Sequence, residues 1–112
     1  MKVTAVVLLA VLGGCATVEP FVVSDRQRDH FEQVVHAAEA ATAADGPAQA
    51  VALVAEAKSD FEYAQHLPMY PERARSLAAK AQHEADTALW MAREAHRQAE
   101  LTARAATAAS SF

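Results

Sequence analysis

Pro71-Glu72-Arg73-Ala74-Arg75-Ser76-Leu77-Ala78-Ala79-Lys80-Ala81-Gln82-His83-Glu84-Ala85-Asp86-Thr87-Ala88 opens the longest regular pattern in this 112-residue chain. Positions 74, 78, 81, 85, 88, 92, 95, 99, 102, 106 and 109 alternate by four and three, and all are alanine except Thr102. That alternation is a heptad seam on one face of an α-helix. Pro71 suits a first helical turn, so the pattern predicts one helix over about 71–108, roughly 55 Å long at 1.5 Å per residue. A seam of methyl groups lets helix axes approach towards the close end of the usual 8–10 Å range. It also makes a thin core, because a buried methyl contributes well under half of the ~1.5–3 kcal/mol of a buried leucine. Leu77, Leu89 and Met91 flank the seam and widen it.

Upstream, Leu67-Pro68-Met69-Tyr70-Pro71 breaks the chain, since proline lacks the backbone donor and pushes its predecessor out of helical geometry. A second helix is predicted over about 48–66, with Ala50, Val54, Ala57, Phe61 and Ala64 on one stripe. Asp45-Gly46-Pro47 separates it from a first helix over 25 to about 44, whose inner face carries Phe31, Val34, Val35, Ala38 and Ala41. Ser24 and Gln27 have capping-box spacing at its start. The alanine-rich, glycine-poor composition fits helices throughout. The fold class is therefore all-α: an antiparallel helical hairpin or three-helix bundle with a long alanine-seam C-terminal helix. Three antiparallel helices with the third overshooting is the preferred arrangement, and a two-helix hairpin with the first helix splayed away is the next.

Residues 1–14 have a charged start at Lys2, an apolar core over 3–12 and small residues at Gly13 and Gly14, which is the layout of a secretory signal. The apolar run is too short to cross a hydrocarbon core, which takes roughly 20 residues. Leu12-Gly13-Gly14-Cys15 resembles a bacterial lipobox, so Cys15 is expected to be the first mature residue and to carry the lipid. It is the only cysteine, which excludes an internal disulfide framework. Two or more acyl chains, palmitate among them, anchor a protein stably where one does not. Ala16, not aspartate, follows the cysteine. Under the sorting rule of enteric bacteria, that sends the protein to the outer membrane, facing the periplasm. The chain then divides into a signal peptide (1–14), a lipidated cysteine and tether (15–23), and a periplasmic helical domain (24–112).

Residues 19–62 hold nine acids and three bases; residues 72–104 hold five acids and six bases. No polybasic surface for nucleic acid or anionic lipid results. Glu100 and Arg104 have the spacing of a supportive helix pair. His30, His36, His66, His83 and His96 include no two at the i,i+3 or i,i+4 spacing that puts two ligands on one helix face. No metal site or cofactor is expected. The serines carry no local nucleophile motif and no glycine-rich turn precedes a helix, so no catalytic residue is assigned. Two places are candidate partner contacts. Trp90 falls opposite the alanine seam near Arg93 and Arg97, where it could anchor a protein partner, stack with an arginine, or pack on a neighbouring helix. Met69 and Tyr70 sit at a hairpin tip, either presented to a partner or tucked against the helix ends.

The stretch Ala50-Val51-Ala52-Leu53-Val54-Ala55-Glu56-Ala57-Lys58, the proline-containing break, Glu72-Arg73-Ala74-Arg75-Ser76-Leu77-Ala78-Ala79-Lys80-Ala81 and Glu84-Ala85-Asp86 resemble a family of small alanine-rich bacterial lipoproteins catalogued as domain of unknown function 4398. The resemblance covers about residues 31–100. Some members of that family carry a peptidoglycan-binding domain of the outer-membrane-protein-A type after the helices; none is expected after residue 112 here. The family implies no enzymatic role and supplies no catalytic positions. The leading expectation is a non-enzymatic outer-membrane lipoprotein, a periplasmic helical scaffold or adaptor in envelope organisation, held to the membrane by its lipid and contacting an envelope protein. The alternative is a self-associating coiled-coil structural lipoprotein like the major murein lipoprotein. A covalent peptidoglycan link is disfavoured, since Ser110-Ser111-Phe112 offers no terminal lysine for it.

Overall fold

The computed structural model describes residues 19–43 and 46–111. Three helices follow one another, α1 (Asp25–Thr42), α2 (Ala48–Gln65) and α3 (Pro71–Ser110), with no strand among the described residues. The short connections fold α1 and α2 back on each other and α2 back on α3. The bundle is thus antiparallel, and the contact of α2 with α3 is its most extensive.

Local chemistry sets each helix end. Ser24 is extended, and its Oγ accepts the Gln27 N–H at 3.1 Å, which satisfies a donor the first turn would otherwise orphan. The capping box is only half made, because among the described residues the Gln27 side chain does not return a bond to Ser24. At the other end of α1, Thr42 Oγ1 donates back to the Ala38 carbonyl (3.0 Å), and the Gly46 N–H donates to the Thr42 carbonyl (3.2 Å). The helix therefore closes two residues before the predicted 44. Gly46 is required by closeness: a Cβ there would collide with Thr42 Cα and Cβ. Pro47 caps α2 from outside its first turn, whereas Pro71 occupies the first turn of α3 as the sequence predicts.

The core is made largely of alanine. α2 buries all five predicted positions, Ala50, Val54, Ala57, Phe61 and Ala64. α1 buries Phe31, Val35 and Ala38, with Val34 half-buried. Ala41, predicted to face inward, is exposed, because the stripe through 31, 35 and 38 continues at the half-buried Thr42. Every side chain that is wholly sealed from water is an alanine; the larger members keep a sliver of exposure. Phe31 and Phe61 join α1 to α2, their rings stacked with centroids 4.0 Å apart.

The seam of α3 divides in two. Ala74, Ala78, Ala81, Ala85, Ala88 and Ala92 are buried, Ala95 is half-buried, and Ala99, Thr102, Ala106 and Ala109 are exposed. Helix length explains the division. α1 and α2 each have 18 residues, about 27 Å, against 40 residues and about 60 Å for α3. The third helix overshoots its partners, and it stays helical through Ser110.

Of the expected tether over 15–23, the structure describes residues 19–23. The Phe21 N–H donates to the Pro68 carbonyl at 2.9 Å, and Val23 is buried in the core. The chain ahead of α1 is thereby fastened to the α2–α3 connection, and the Phe21 side chain packs against the same core. No helix among the described residues is long and apolar enough to cross a membrane.

Candidate functional site

Glu56 and Asp60 lie four residues apart on α2, and Lys80 and Glu84 lie four apart on α3, so each pair shares a helix face. The antiparallel packing of α2 on α3 brings the two faces together. Lys80 Nζ donates to Asp60 Oδ2 at 3.1 Å and to Glu56 Oε1 at 3.4 Å. A carboxylate oxygen from each of Glu56, Asp60 and Glu84 lies within 4.8 Å of the others.

The three acids differ in depth. Glu56 is exposed and Asp60 half-buried, but Glu84 keeps only 6% of its surface. It is the one buried charged residue of the described chain, and its Oε1 has no hydrogen-bond partner. Its neighbours along α3, Ala81, Ala85 and Ala88, are fully buried, and alanine side chains let helix axes approach closely.

Burial, then the nearby Asp60 and Glu56, push the Glu84 carboxyl up to about 7. The neighbouring Glu84 carboxyl, and after it the Lys80 ammonium, hold Asp60 below the ordinary aspartate value. The Lys80 ammonium is in turn stabilised by Asp60, then Glu56. The cluster is a store of negative charge with one fixed cation at its mouth. No hydroxyl or thiol nucleophile belongs to it.

The sequence passes over this cluster because a search by histidine and cysteine spacing does not register carboxylates on two helices. A signal was nevertheless present. Leu77, Glu84 and Met91 form one heptad line beside the seam, and Leu53, Asp60 and Leu67 continue another along α2 and just past its end. In each, an acid stands where large apolar residues flank it seven positions away.

The sequence-derived candidates lie apart from the cluster. Leu12, Gly13, Gly14 and Cys15 lie outside the described residues. Trp90 is 64% exposed on α3. Arg97, one of its candidate stacking partners, is held instead by Glu94 through two bonds (2.6 and 3.2 Å). Glu100 pairs back to His96 at 3.2 Å rather than forward to Arg104. Met69 and Tyr70 are exposed at the α2–α3 connection, close to the point where Phe21 is fastened. No protein-family model, curated protein or solved structure matches the chain.

Proposed function

We propose that this chain is a non-enzymatic lipoprotein of the bacterial outer membrane. In this reading it is a helical arm that stands off the membrane and contacts another envelope component with its far end. One observation carries the proposal: the Phe21–Pro68 bond fastens the segment that follows the lipobox to the connection from which α3 departs. Cys15 lies six residues before Phe21, a reach of at most ~22 Å at full extension. A lipid on Cys15 therefore keeps the start of α3 near the membrane and directs its uncovered residues 99–110 away from it.

Val22, next to Phe21, and Met69 and Tyr70, which follow Pro68, are exposed beside the two partners of that bond. Apolar and tyrosine side chains are at ease in the interfacial layer, so Met69 and Tyr70 become membrane contacts in this reading. Trp90 and Leu101, 64% and 45% exposed, are the large apolar groups that α3 offers a protein partner. The uncovered half of the alanine seam supports a second reading, in which a second copy of the chain packs there as a coiled coil.

In-cell photo-crosslinking from positions 90 and 101 of the lipidated protein tests the proposal. Adducts from 101 to a different envelope protein are expected. Adducts only to a second copy select the self-associating spacer. An acylated protein that yields no adduct from either position contradicts both.

A further inference from the structure

We propose that Glu56, Asp60 and Glu84 form a binding site for a hard divalent cation of the magnesium, calcium and manganese class, bridging α2 and α3. Clusters of acids are common on helical surfaces, and most bind nothing. This one is set apart by Glu84, which is 94% buried, points its carboxylate at the other two acids, and leaves Oε1 without a partner. A buried acceptor is normally satisfied, and each orphan calls for an explanation.

Lys80 already supplies a positive charge, but at the wrong depth. Its bonds go to the outer acids, Glu56 and Asp60, and its long stem enters from the exposed side. With all three carboxylates ionised, one lysine leaves two negative charges in excess. A bare divalent ion has no stem, and in place of the lysine it cuts that excess to one. It would sit among the three oxygens, with water completing its shell and the lysine swung out to solvent. An all-oxygen set with no imidazole or thiolate selects hard cations over zinc or copper. Two ligands come from one helix and the third from its neighbour, so the bound ion would also fasten α2 to α3 beyond what the alanine seam provides.

The ion has to displace Lys80, so the site is weak, with a Kd on the order of 0.1–1 mM, as in extracellular calcium modules. The test uses the full chain in zwitterionic detergent and MnCl2 as a paramagnetic probe of backbone NMR signals. Broadening is expected to centre on residues 56–60 and 80–84 and to be reversed by CaCl2. Glu84→Gln, which keeps the shape and removes the charge, is expected to weaken binding at least tenfold, and Asp60→Asn likewise. Lys80→Met is expected to tighten it several-fold, and Asp86→Asn, outside the cluster, to leave it unchanged. Broadening spread over acidic residues along the whole chain, undiminished binding by Glu84→Gln, or no gain in Lys80→Met overturns the proposal.

Discussion

Glu84 is enclosed by alanines that have no room to move aside, and its charge, not its size, sets its energetics. In the unfolded chain its carboxyl titrates near 4.5, and in the folded protein near 7. Between those values the folded state holds a proton that the unfolded state has lost, so stability falls as pH rises through this window. The loss amounts to on the order of 3 kcal/mol when complete. Asp60 works in the opposite sense, but only near and below its ordinary value of 3.8, outside the window. Chemical denaturation with chelator present should therefore show stability declining from pH 5 to pH 7.5. Glu84→Gln, neutral throughout, should flatten that decline; an equally steep decline in the variant would show that another group causes it. The sequence showed the acid in a line of leucine and methionine, but not that Asp60 and Lys80 would meet it. Those contacts arise from how far α2 slides along α3, which no spacing within one helix records.

α3 is a single sequence pattern with two physical fates. Its alanines from 74 to 92 are sealed between helices, while 99, 106 and 109 meet water. The same enlargement should then have opposite effects along one line. Ala85→Leu forces the axes apart against an interior that cannot absorb three more carbons, and should lower stability by at least ~1–3 kcal/mol. Ala106→Leu should change it by less than ~0.5 kcal/mol. Thermal unfolding followed by circular dichroism compares the two, and equal losses would mean that the distal seam is packed in solution. The helices themselves were legible to within about two residues, because proline, glycine and a serine cap mark their ends chemically. The inner stripe of α2 was legible in full because valine and phenylalanine punctuate its alanines. The point at which burial stops was not, since an alanine facing a partner and one facing water look the same in sequence. Ala41 was misplaced for the same reason.

At the scale of the whole molecule, the bond between Phe21 and Pro68 converts a bundle into an arm with a direction. The sequence suggested a short tether over 16–23, and nothing local told Phe21 and Val23 apart from linker residues. Their side chains join the helical core, and the Phe21 backbone bonds to a connection nearly fifty residues later in the chain. In the reading proposed above, that fastening and a lipid on Cys15 together would point α3 away from the bilayer. Neutron reflectometry of the acylated protein on a supported bilayer measures this directly. A protein layer extending ~60 Å or more from the headgroups is predicted, from the length of α3 standing upright. A layer only ~20–30 Å thick, about two helix diameters, would mean that the helices lie along the surface, and would contradict the membrane-anchored arm.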